Sequence, residues 1–156
     1  MQKTLPNRPK KKKEAKELYR RIIANAKLEA RKIILREKRA LVDEVFVKAQ
    51  KKLGELSREH YIEFLVKLIE DNATGGEELI LSRADMDSIG KQLIQFTELS
   101  LANKEKDITV TLSEKTRDIK KGFILSKDRI ELNFTFENLL YSLRSMAEPE
   151  VIKVLF

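Results

Sequence analysis

Cysteine is absent from this chain, which excludes disulfides, thiolate metal sites and cysteine nucleophiles together. Histidine is nearly absent too. The single His60 cannot build a histidine metal cluster, and its place between Glu59 and Tyr61 at a helix junction suits a surface or capping role. The serines consequently lack a histidine base, and no nucleophile-elbow sequence surrounds any of them. Gly75-Gly76 is not followed by Lys-Ser or Lys-Thr, so no phosphate loop is present. The carboxylates at Glu77-Glu78, Asp85/Asp87 and Glu148/Glu150 each lie at a loop or helix start, where acids meet the helix dipole favourably. The chain is therefore expected to be a non-enzyme with no catalytic residues, cofactor or metal. No run approaches the roughly 18 apolar residues of a membrane span, and the basic start lacks the apolar stretch of a signal peptide. A cytoplasmic location is expected, with any membrane attachment made through partners.

What is abundant is charge, at 37% of residues against 42% hydrophobic and 6% aromatic. It is unevenly placed. Met1 to His60 holds 19 Lys and Arg against 8 Asp and Glu, and Tyr61 to Phe156 holds 13 against 17. A net +11 followed by a net −4 describes a basic arm joined to a mildly acidic globular domain. Residues 1–13, with two prolines and a tetralysine run, are expected to be disordered, because they bury too little to offset the cost of ordering them.

Residues 14–56 contain no proline and one glycine, Gly54, and predict a single long helix. Its apolar positions Ala15, Tyr19, Ile22, Ala26, Ala30, Ile33 and Leu41 recur over eleven-residue repeats, with Glu37 interrupting the row. Eleven residues over three turns slightly exceeds the natural helical period, so a partner helix along this seam would wind right-handed. A lone solvated helix with ion pairs such as Glu17/Arg21 and Glu44/Lys48 is the other reading of this segment. Beyond Leu41 the apolar stripe widens through Val42, Val45, Phe46, Ala49, Leu53 and Leu56, as where an arm becomes core.

Residues 57–156 predict a globular domain. A second helix spans Tyr61 to Asp71, restarted at Ser57 or Glu59 and ended by the loop Thr74-Gly75-Gly76. A strand at Leu79 to Leu81, a helix begun at Ser82 and a strand at Ile108 to Leu112 follow, a connection that favours a parallel pair. Phe123 to Leu125 and Ile130 to Phe134 then form a hairpin. A left-handed residue at Arg129 in that turn would cost about 1–2 kcal/mol. The fold class is α+β: a long N-terminal helix, then a mixed sheet of about four strands covered by helices.

The last two dozen residues carry the most identity. Thr135 reads as a helix N-cap, with Phe134 stapled onto Leu139. Pro149 suits a new first helical turn, which would redirect Val151, Val154, Leu155 and Phe156 back onto the sheet as a closing clasp.

This ending, Asn133-x-Thr135-Phe136, a helix with Arg144, then Glu148-Pro149-Glu150-Val151-x-Lys153-x-Leu155-Phe156, resembles the E subunit of the archaeal and bacterial A/V-type ATP synthases. Arg21 to Arg31 resembles the end of that family's long N-terminal helix, and Lys121 to Leu125 the strand opening its last hairpin. The resemblance covers roughly Glu17 to Phe156. The first residues depart from the family, whose members usually begin with a much longer charged helix. It implies a non-catalytic peripheral-stalk subunit, a stator at the cytoplasmic face of the membrane, supporting ATP synthesis coupled to proton or sodium transport. Its implied partners are a second stalk subunit, paired along Ala15, Tyr19, Ile22, Ala26, Ala30 and Ile33, and the nucleotide-binding head, gripped by the C-terminal domain. The related stators of flagellar and type III export ATPases are the nearest alternative. Nucleic acid would accept so basic an arm, but acids are interleaved along it and aromatics are few.

Overall fold

The computed structural model describes residues 8–156. Its elements run α1 (Arg8–Gly54), α2 (Arg58–Asn72), β1 (Glu77–Leu81), α3 (Arg83–Asn103), β2 (Val110–Thr116), β3 (Gly122–Lys127), β4 (Ile130–Thr135) and α4 (Phe136–Leu155). The expected plan of a long helix followed by a four-stranded mixed sheet with helices is present. The described residues divide into two units, one ending at Glu44 and one running from Val45 to Phe156.

The 47 residues of α1 correspond to about 70 Å at 1.5 Å per residue. The helix begins at Arg8, ahead of the expected Glu14, and takes in the tetralysine run expected to be disordered. Pro9 does not prevent this, because in the first turn its missing N–H is one of the donors that go unused anyway. The rest of the disorder expectation falls on residues 1–7, outside the described ones. From Arg8 to Leu41 every residue is exposed; Val42 is buried, and Val45, Phe46 and Ala49 are partly so.

In the second unit the sheet order is β2-β1-β3-β4. β1 pairs parallel with β2, as the strand–helix–strand connection predicts, and antiparallel with β3, while β3 and β4 form the hairpin. β2 starts two residues later than predicted and runs on to Thr116, with an irregularity in the β1–β2 register between Leu79 and Leu81. The hairpin turn resolves the question at Arg129: Lys127 pairs with Ile130, and the left-handed residue is Asp128 at φ 56°. Aspartate tolerates that region because its short side chain bonds locally, so arginine carries no such strain.

The core gathers on one side of the sheet. Leu79, Leu81, Val110, Phe123 and Leu125 from the strands meet Leu65 and Ile69 of α2 and Ile89, Leu93 and Leu101 of α3, all buried. Leu53 and Leu56 pack against the same cluster, so the widened stripe at the end of α1 does reach the core. Side chains of this kind contribute about 1.5–3 kcal/mol each on full burial.

Helix starts follow their caps. Ser57 and Ser82 accept the backbone N–H of His60 and Asp85, and Thr135 that of Asn138. Proline did not do what its position suggested. α4 runs unbroken through Pro149, so the expected second helical start and redirection are corrected: the ring removes one hydrogen bond to the preceding turn, but the helix continues on both sides.

Candidate partner-binding surfaces

The candidate site of α1 follows from its period. A 3.6-residue turn places Ala15, Tyr19, Ile22, Ala26, Ala30 and Ile33 in one narrow row, and all six are exposed. Tyr19 is 67% exposed and Ile22 and Ile33 more than half, a large apolar cost with no compensation inside the described chain. A second row is not evident from the sequence. Ile23 and Ile34, also eleven residues apart and exposed, flank the first and widen the apolar belt. Their signal was the shared period, hidden because Lys12 stands one repeat earlier.

The residues expected to form a C-terminal clasp divide into two groups. Phe134, Thr135 and Leu139 lie at the base. Phe134 stacks on Phe123 with ring centroids 5.1 Å apart, Thr135 caps α4, and Leu139 packs against the core. Beyond Pro149, Val151 is partly buried, whereas Val154 is 86% exposed and Leu155 and Phe156 are also exposed. The tail is thus the last turn of an uninterrupted helix. Phe136, which the sequence marks only as part of the family signature, is the true anchor of this region: it is buried, with edge-on contacts to Tyr61 and Phe64 at 5.7 and 5.6 Å.

The carboxylates do more than cap. Asp85 is buried, and its Oδ2 accepts the Tyr61 hydroxyl at 2.6 Å, while the Tyr61 oxygen accepts the Gly122 N–H at 2.9 Å. Lys121 lies over the Tyr61 ring at 4.5 Å and 3.9 Å from Asp85 Oδ1. Burial, reinforced by the bond to Asp85, pushes the Tyr61 phenol well above its ordinary value. This network ties α2, α3 and β3 together. Gly122 is needed in it, since its φ is 99° and a Cβ would stand 2.3 Å from the Phe134 carbonyl oxygen.

Glu77 closes the Thr74–Gly76 loop, taking the Thr74 N–H and hydroxyl on Oε1 and the Gly75 N–H on Oε2. Burial opposes its ionisation, but these donors outweigh it and hold its carboxyl below the ordinary value. Glu70, also buried, accepts the Ser100 hydroxyl and the Lys104 ammonium. His60 Nδ1 lies 2.9 Å from Ser57 Oγ at the α2 cap, the role its position suggested. Among the described residues no group of three or more His, Cys, Asp or Glu is placed to hold a metal ion.

A groove lined by residues of α2 and α3 includes the exposed Phe96 and Leu99, the partly buried Val66 and the buried Ile62, together with Glu59 and Glu63. No described helix is long and apolar enough to cross a membrane.

The sequence profile of the family "ATP synthase (E/31 kDa) subunit" matches residues 2–156. Similar proteins include the E subunit of the V-type proton ATPase of Clostridium botulinum (strain Loch Maree / Type A3), 38% identical over 144 residues, or 92% of this chain and 72% of that protein. The first E-type subunit of the V-type ATP synthase of Clostridium tetani is 39% identical over 135 residues, 86% of this chain and 64% of its own length. The E subunit of the V-type proton ATPase of Thermoanaerobacter pseudethanolicus is 39% identical over 123 residues, covering 78% and 62%.

Proposed function

Because the chain belongs to the ATP synthase E/31 kDa subunit family, we propose that it is a non-catalytic stator subunit of a V-type rotary ATPase. In this reading α1 pairs with a second stalk subunit, and the C-terminal unit grips the nucleotide-binding head. Catalysis and ion translocation belong to the other subunits, and this chain contributes two protein interfaces at the cytoplasmic face of the membrane.

The observation that carries the reading is the exposed apolar row on α1. A helix of about 70 Å whose first 34 described residues bury nothing has no internal reason to keep Tyr19, Ile22 and Ile33 on one face. A paired helix supplies that reason. The physical demand fits as well, because a stator must resist torque over a long distance, and two packed helices resist bending far better than one. Small Ala15, Ala26 and Ala30 let the partner backbone approach closely while burying little area, so the pairing is marginal without a matching partner.

The test is co-expression with the candidate second stalk subunit. The reading predicts a purified one-to-one complex with higher helicity and a higher melting temperature than the sum of its parts. Separate elution with unchanged helicity would remove it.

A further inference from the structure

The cations of α1 keep the period of its apolar row. Lys16, Lys27 and Lys38 follow positions 15, 26 and 37 by one residue, and Arg20 and Arg31 follow Tyr19 and Ala30 in the same way. At about 100° per residue, such neighbours hold a constant angular offset from the row and stay beside any helix laid along it. Together with Lys13 they form a continuous basic stripe, and no Asp or Glu from Arg8 to Glu44 falls on it. Lys12/Lys16, Lys16/Arg20 and Lys27/Arg31 are like-charge pairs four residues apart, an arrangement that weakens an isolated helix. Lys32, on another face, pairs with Glu29 at 3.1 Å.

Arg8 to Glu44 carries 14 Lys and Arg against 6 Asp and Glu, so a second copy laid along the row in either direction would bring two net-positive helices together. A complementary partner relieves that repulsion and reads the period at the same time. We propose that α1 selects a partner helix bearing carboxylates at eleven-residue spacing on the flank that meets Lys16, Arg20, Lys27 and Arg31, and that the same stripe disfavours self-pairing. The proposal rests on the reading of α1 as a partner-binding helix and adds the chemistry of the partner. A lipid surface fits less well, because the row repeats every eleven residues in step with a coiled-coil seam, a register that a helix lying in a membrane interface does not need.

The test uses the full chain and two synthetic helical peptides that share one apolar eleven-residue repeat and differ only in carrying Glu or Lys at the flanking positions. At about 0.1 M salt, where charges act over about 10 Å, the Glu peptide should bind at least about tenfold more tightly. At about 1 M salt, where the range is about 3 Å, the preference should vanish. The K16E/K27E/R31E variant should invert the preference and K16Q/K27Q/R31Q should abolish it, circular dichroism confirming that both remain helical. Equal affinity for both peptides overturns the charge selection while leaving helix pairing intact, and binding of neither overturns both. Tighter binding to phosphatidylserine vesicles than to the Glu peptide overturns it in favour of a membrane surface. A wild-type homodimer at low salt in sedimentation overturns the bar on self-pairing.

Discussion

The hydroxyl of Tyr61 donates to the buried Asp85 carboxylate at 2.6 Å and accepts the Gly122 N–H at 2.9 Å, so one oxygen joins α2, the first turn of α3 and the start of β3. Tyr61→Phe keeps the ring and removes that oxygen, leaving two buried groups without their partner. A loss of about 1–3 kcal/mol per unsatisfied group is expected, read as a lower urea midpoint with unchanged slope.

The same bond sets an alkaline limit. The Tyr61 phenol is raised in the folded state, so its contribution is fully present below the unfolded value of about 10 and declines as pH climbs toward the folded value. The stability gap between wild type and Tyr61→Phe should therefore narrow above about pH 10. A gap that stays constant from neutral to alkaline pH would contradict the assignment.

Glu77 works in the opposite direction. Its carboxyl is held below the ordinary value, so its contribution is present above about pH 4.3 and is lost as pH falls through the folded value. Glu77→Gln turns one acceptor into a donor facing either the Thr74 or the Gly75 N–H. It should cost about 1–3 kcal/mol at neutral pH, with the difference shrinking in acid, as followed by thermal melts across the pH range.

In the last helix, base and tip should separate. Phe136→Ala removes a buried ring packed on Tyr61 and Phe64 and should cost about 3–5 kcal/mol. Thr135→Ala removes the cap for about 1 kcal/mol. Val154→Ala, at an 86% exposed position, should stay within about 0.5 kcal/mol. If Val154→Ala destabilised the domain as Phe136→Ala does, the tail would be a clasp after all.

Much of this architecture was legible in the chain. A stretch free of interior proline announced α1, and Ser57, Ser82 and Thr135 marked three helix starts through a single physical device, a side-chain oxygen meeting an unused N–H. Two kinds of feature were not legible. Local rules misjudged Pro9 and Pro149, because a proline near a helix start is permitted and one near its end interrupts a single bond. Long-range pairings left no local trace: nothing near Tyr61 announces Asp85, 24 residues away, and Phe136 is no more than a signature residue until α2 is packed against it. The apolar row was legible as a period, but its outer member, Ile23 with Ile34, and its basic flank required the helix to be continuous before their common spacing had meaning.

Whether the apolar row of α1 binds a helix is decided by an equilibrium titration of the full chain with the proposed second stalk subunit. Wild type should form a one-to-one heterodimer. Ile22→Asp combined with Ile33→Asp should weaken it by at least about tenfold, or about 1.4 kcal/mol, while the melting of the C-terminal unit stays unchanged. A heterodimer of undiminished affinity in the double variant would contradict the account.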